Sequence, residues 1–194
     1  MGKIEIINKS LTLIGAAPIT SLTDASNNAR IESRVYDLSL RSILSECPWN
    51  FAMKRKLLAT STATLDWYDT GVTVVYQRPS DIIRIFGTND KKAIWQAEGD
   101  YIVSDTAGLG IRYVQYLDVP SKYTASFTDA FIDKLAADCA FMILNSTTIA
   151  AKYLEKYEKL TLPKAMAENS QGGTQPGMED NAWIDAKDTG AAGV

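Results

Sequence analysis

The stretch Cys47-Pro48-Trp49-Asn50-Phe51-Ala52-Met53-Lys54-Arg55-Lys56-Leu57 is where the chain changes its period. Pro48 cannot continue a helix, because it lacks the amide proton and its ring collides with the preceding turn. Beyond it Phe51, Met53, Arg55 and Leu57 alternate with Ala52, Lys54 and Lys56, the spacing of a half-buried strand. Upstream the period is helical. Ile4, Ile7, Leu11 and Ile14 form one stripe, stopped by Gly15 and Pro18. A second helix is expected from Asp24 or Ser26 as N-cap to about Glu46, with Ile31, Val35, Leu38 and Ser42 on one line and Tyr36, Leu40, Ile43 and Leu44 on another.

Downstream, short runs rich in Val, Ile, Tyr and Trp predict strands at Val72–Gln77, Asp81–Phe86, Lys92–Gln96, Tyr101–Ser104 and Ile111–Leu117. Turn residues separate them so closely that only antiparallel hairpins fit, since parallel crossovers would need intervening helices. Helix then returns. Ser126-Phe127-Thr128-Asp129 resembles a capping box, and Phe127, Phe131, Leu135, Cys139, Met142 and Ile149 fall on one line. The apolar run Leu135–Leu144 is expected to be the most buried helical segment. Asp138 inside it needs a partner, and Arg30 or Arg34 of the second helix is the expected one. Ala150–Leu162 continues the helical pattern until Pro163, which is expected to bend or break it. The expected fold class is α+β. Residues 1–50 and 121–169 form a helical bundle, 51–120 an inserted antiparallel β-rich domain, and 170–194 an extended acidic, glycine-rich C-terminal tail.

Composition narrows the chemistry. The 194 residues include no histidine and two cysteines, Cys47 and Cys139. That excludes Ser-His-Asp and Cys-His hydrolysis, histidine acid–base catalysis and imidazole-bound zinc, and the two cysteines are expected to be buried free thiols. The formal net charge is −3. It resides in the tail, where Glu179, Asp180, Asp185 and Asp188 face only Lys187, while residues 1–169 carry 19 bases and 19 acids. A neutral body without a basic tract argues against sequence-reading nucleic-acid binding. No run approaches a membrane span, and MGKIEIINKS lacks the apolar core of a signal peptide, so a cytoplasmic origin is expected.

Few groups offer themselves for catalysis. Glu98, Asp100 and Asp105 surround one short strand without the spacing of a calcium loop, and read as charged turn residues. Ala107-Gly108-Leu109-Gly110 is too short for a phosphate loop and precedes a strand. Arg30, Arg34 and Arg41, beside Glu32, Asp37 and Glu46, read as a solvated helix face, and so do Lys152, Lys156 and Lys159. No catalytic residue, cofactor or metal is expected.

The motifs point to a family. Leu13-Ile14-Gly15, Ile19-Thr20-Ser21-Leu22-Thr23-Asp24, Asn28-Ala29-Arg30 and Tyr36-Asp37 lead to Cys47-Pro48-Trp49-Asn50-Phe51-Ala52 with Lys54-Arg55. Tyr76-Gln77-Arg78-Pro79-Ser80-Asp81, Ile111-Arg112-Tyr113, and Phe131 with Leu135-Ala136-Ala137 follow in order. Over about residues 10–160 the chain resembles the tail tubular protein A family, the head-to-tail adaptors of short-tailed bacteriophages. The resemblance implies a structural virion protein of the tail neck, made in the host cytoplasm, and not an enzyme. Its partners would be further copies in a twelve-fold ring, the portal protein and the tail nozzle protein. Double-stranded DNA would pass through the lumen without specific binding, and no membrane is involved. Pro48, Trp49 and Phe51 are expected to be structural, closing the helix–strand junction. Trp67 and Tyr68, in a loop rich in Thr and Asp, are expected to meet a neighbouring subunit, and Trp183-Ile184 to anchor the tail. The rival readings are a soluble non-viral interaction domain and a metal-dependent nuclease built on Glu98, Asp100 and Asp105.

Overall fold

A computed structural model of the chain describes residues 1–67 and 71–172. Tyr68, Trp183 and Ile184 lie outside the described residues, as does most of the expected tail. The architecture is α+β. Helices α1 (Lys3–Ile14) and α2 (Asn27–Glu46) precede a six-stranded region, and α3 (Ala125–Leu144), α4 (Thr147–Lys156) and α5 (Leu162–Gln171) follow it. The first helix stops where expected, with Gly15 in the left-handed region at φ 79°. Ser26, not Asp24, caps α2 by accepting from the Ala29 amide. Asp24 instead accepts from the amides of Thr20 and Ser21 and shapes the preceding loop.

Helix α3 is the centre of the bundle and packs on α1, α2 and α4. Phe127, Phe131, Leu135 and Cys139 are fully buried along it. Its cap is Thr124, whose hydroxyl accepts from the Phe127 amide, so the expected start at Ser126 is two residues late. Its deepest part is also earlier than expected. Phe141 and Met142 are 52% and 48% exposed, because α3 ends at Asn145 in the left-handed region and the chain turns away into α4, which carries Ile149. Leu38 of α2 is 68% exposed. It lies two residues from both Tyr36 and Leu40, roughly 200° around the helix from that buried line.

Pro163 does not break the path. A π-helical turn, Tyr157–Thr161, follows α4, and Pro163 then occupies the first turn of α5, where its missing amide proton is not needed. The helical part therefore runs to Gln171, past the expected boundary at residue 169.

All six expected strands are present: β1 (Met53–Leu57), β2 (Val74–Gln77), β3 (Ile82–Thr88), β4 (Trp95–Glu98), β5 (Tyr101–Ser104) and β6 (Gly110–Gln115). They form two antiparallel three-stranded sheets, ordered β1-β6-β3 and β2-β5-β4. A second core joins the sheets: Leu58, Tyr76, Ile82, Ile102, Leu109, Ile111 and Tyr113. The alternation read at Phe51–Leu57 was not that of a half-buried strand. Asn50–Ala52 make a 3-10 turn with Ala52 buried, and Lys54–Leu57 are exposed on an edge strand whose charges discourage further pairing.

The last turn of α5 returns to the junction from which the sheets depart. The Asn169 side chain accepts from the Asn50 amide at 2.8 Å and donates to the Pro48 carbonyl at 3.1 Å, while Asn50 Nδ2 donates to the Asn169 carbonyl at 2.6 Å. A Cβ at Gly172 would stand 2.7 Å from Asn50 Nδ2, so glycine keeps this latch closed. Asn169→Ala removes three side-chain hydrogen bonds, one of them to the Cys47 sulfur, at a site where water can satisfy the Asn50 amide, which should cost about 1 kcal/mol. Urea unfolding should show a lower midpoint at unchanged slope, and an unaltered midpoint would mean the latch holds nothing.

Candidate functional site

The motif residues sit in the frame of the molecule. Trp49 has no exposed surface, and its indole donates to the Ile43 carbonyl at 2.8 Å. Around it Phe51, Tyr123, Phe127, Phe131 and Tyr36 form a chain of ring contacts, with Trp49–Phe127 at 4.8 Å, Phe51–Phe127 at 4.7 Å and Tyr36–Phe131 at 5.2 Å, all edge-on. Edge-on geometry sets each ring's positive rim against its neighbour's negative face. Pro48, Trp49 and Phe51 thus occupy the structural position expected of them.

Three aspartates repeat one arrangement, each accepting from a tyrosine hydroxyl and pairing with a cation. Asp118 takes Tyr36 and Lys3, at 3.1 and 2.7 Å. Asp37 takes Tyr116 and, at 2.8 Å, Arg41. Asp81 takes Tyr113 and Lys54, at 3.0 and 2.8 Å. Lys3 and Arg41 also lie over the rings of Tyr36 and Tyr116, at 4.0 and 4.2 Å. The hydrogen bond from Tyr116, seconded by Arg41, holds Asp37 below the usual carboxylate range. Burial raises Asp81, but the bonds from Lys54 and Tyr113 outweigh it and leave the group below its ordinary value. Burial pushes the Tyr36 and Tyr116 hydroxyls up, so both remain protonated donors. Two of these staples tie the helices to residues 116–118 just after β6, and the third ties β1 and β6 to the turn before β3. Arg41 therefore serves a staple and not a free helix face.

Asp138 has a partner, but not the expected one. Lys134 of the same helix bonds it at 2.6 Å, and Ser39 of α2 donates to its other oxygen. Arg30 and Arg34 are exposed and form no side-chain bond among the described residues. The reason is helix phase, since Ser39 and Glu32 face α3 and the two arginines do not. Glu32, grouped in the sequence with the solvated face, is fully buried. Its Oε1 is 3.5 Å from Ser10 Oγ, the Cys139 thiol is beside it, and Oε2 has no partner. The only sequence sign was position: Glu32 is a turn before Val35 and Tyr36, within the buried stripe.

Glu98 and Asp100 are exposed around the β4–β5 turn. The Asp105 carboxylate accepts from the Ile94 amide and the Thr106 hydroxyl, a local cap that lowers its pKa, the Thr106 bond being the largest cause. Among the described residues no group of three acids or thiols is gathered that could hold a metal ion. Both cysteines are buried and free.

What remains available is exposed apolar surface. In the β-rich part Trp67, in the β1–β2 connection, is 72% exposed, Leu57 68% and Ile94 63%. In the helical part Leu38, Phe141, Met142 and Leu160 stand out. Single exposed apolar residues are ordinary, and these are the large apolar side chains left most in water among the described residues. Among the described residues no helix is long and apolar enough to cross a membrane. No protein-family model and no curated protein matches the chain.

Glu32 makes the fold sensitive to pH. Burial, opposed only in part by Cys139 and Ser10, pushes its carboxyl up to about 7 from 4.5. Between those values the folded state holds a proton that the unfolded chain has lost. Stability should therefore be greatest near pH 4.5 and fall by up to about 3 kcal/mol as pH rises through 7. No histidine titrates in this window. Urea midpoints across pH 5–8 should show the decline, and Glu32→Gln should flatten it. An equal slope in the variant would assign the effect elsewhere.

Proposed function

We propose that this chain is a structural protein of a short-tailed bacteriophage virion, an adaptor that forms a ring between portal and tail nozzle and prolongs the DNA channel. The observation that carries the reading is the presence of large exposed apolar side chains on both the β-rich and the helical part. A ring closed by rotation needs heterologous contacts, in which each copy offers two different complementary faces. Trp67, with Leu57 and Ile94, supplies one candidate face on the β-rich part, and Leu38, Phe141 and Met142 another on the helices.

The resemblance in the motif residues supports the same reading. Those residues contribute to the junction, the staples and the two cores. The neutral charge of residues 1–169 suits a conduit, since a strongly cationic lumen would retain the DNA backbone. Trp183-Ile184 is the proposed anchor on the portal. Localisation in the virion neck follows from the same reading.

Mixing the chain with its cognate portal should yield a stoichiometric ring visible by electron microscopy. Trp67→Ala should leave the unfolding midpoint unchanged, because the ring is already in water. It should weaken ring closure by about 2 kcal/mol per contact, roughly thirty-fold in a dissociation constant. A chain that never joins the portal would overturn the adaptor reading. Normal assembly by the variant would move the contact away from Trp67.

A further inference from the structure

The register of β1 against β6 sets Arg55 directly opposite Arg112. Cross-strand neighbours have Cβ atoms about 5 Å apart, and like charges so placed repel. Both guanidinium groups are exposed, and neither forms a hydrogen bond or ion pair among the described residues. On the other side of Arg112 the β3 neighbour is Gly87, which leaves open space where a side chain would stand. Alternation puts Leu57, 68% exposed, on the same face as Arg55. At its near end this face carries Met53 and Val114, which pack into the helical core. Beyond them the sheet overhangs the bundle, and the arginine pair and Leu57 are uncovered.

We infer that this face holds the chain's own acidic C-terminal segment, Glu179, Asp180, Asp185 and Asp188, in the isolated protein. Three observations select that occupant. The first is charge: the formal excess of three negative charges lies wholly beyond residue 169, and the strand register sets two exposed cations, unpaired among the described residues, side by side. The second is the point of departure. Gly172 lies against Asn50, at the foot of the edge strand that carries Arg55. Fully extended, seven residues from Gly172 to Glu179 span roughly 25 Å, while Arg55 is at most roughly 18 Å of chain from Asn50. The third is order along the segment. Trp183-Ile184 stands between the two acidic pairs, so one acidic pair can meet the arginines while the apolar pair covers the neighbouring exposed Leu57.

Arginine suits the task, since its planar fork binds carboxylates through two parallel bonds. Occupation also removes the repulsion between Arg55 and Arg112, and the segment is tethered, so the contact forms at high effective concentration. In the adaptor reading the same segment is the portal anchor. The two dockings then compete, and the anchor is withheld until a portal draws it off.

The test uses the full chain with a nitroxide on Asn181→Cys, the native thiols being buried. Amide signals of residues 55–57 and 110–112 should be lost to paramagnetic broadening and regained on reduction of the label. They should also return at high salt and in Arg55→Gln/Arg112→Gln, a substitution that relieves like-charge repulsion and so keeps the fold. Mixing labelled chain with isotope-enriched unlabelled chain tells whether the segment reaches its own copy or a second one: silence in the unlabelled copy supports the assignment, and broadening carried between copies would overturn it. Intact signals at 55–57 and 110–112 would overturn it. So would broadening that persists in the double variant. Intact signals together with shifts at Arg55 and Arg112 on adding a short DNA duplex would overturn it in favour of nucleic acid. Because no portal is present, failure here leaves the adaptor reading standing, and a chain that forms no ring can still pass this test.

Discussion

Trp49 is where a helical bundle and a β-rich region are made into one molecule. The chain must leave α2, reverse its period and enter β1 within a few residues, and a buried connection risks stranding backbone polar groups. The indole fills that space and gives its one donor to the Ile43 carbonyl, so neither the ring nor the end of α2 is left unsatisfied. Phe127 seals one side of it, Phe51 the next, and Asn169 closes the outside by bonding Pro48 and Asn50. The helical segments on both sides of the sheets are thereby committed at one point. The N-terminal helices enter it, the sheets leave it, and the last helix returns to lock it.

The tyrosine–aspartate–cation staples extend that junction outward. A carboxylate shared between a phenol and a cation is satisfied on both oxygens, so it can stand half-buried at a seam that a lone ion pair would hold only weakly. Asp37 and Asp118 bind helices to the segment after β6, and Asp81 binds the edge strand to its neighbours. The staples fix how the sheets sit on the bundle.

Much of this was legible in the sequence because period and punctuation are local. Gly15 stopped α1, Ser26 started α2, and each strand was bounded by its own turn residues. The misreadings came where tertiary packing overrides a local sign. Leu38 and Met142 continue apolar lines that no neighbouring element covers. Glu32 is buried because its helix face meets Ser10 and Cys139, a fact that no charge count contains. Pro163 marked a break that a π-helical turn absorbs. Asp138 was rightly expected to need a partner, but choosing Lys134 over Arg30 or Arg34 required the rotation of α2 about its axis. For the candidate site, Trp67 could be placed by composition in a loop with little local core, and it is exposed there, whereas the opposition of Arg55 to Arg112 exists only once the register is known.

The absence of histidine has a consequence for how such a frame behaves. With no side chain of neutral intrinsic pKa, the folded chain would be insensitive to pH between the carboxylate and thiol ranges, were it not for Glu32. Burial creates there a titration that composition denies, and with the opposite sign to the staples. Asp37 and Asp81 stabilise the fold when charged and lose that contribution only in acid. Glu32 stabilises it when neutral and loses its contribution as pH rises toward 7. The two sets therefore bracket a maximum of stability on the acid side of neutrality. At neutral pH the bundle around Ser10, Glu32 and Cys139 is held below its best packing, while the junction and the seams are held at full strength. Any yielding in this molecule should begin inside the helical bundle, at the far end of α3 from Trp49, and leave the helix–sheet junction intact.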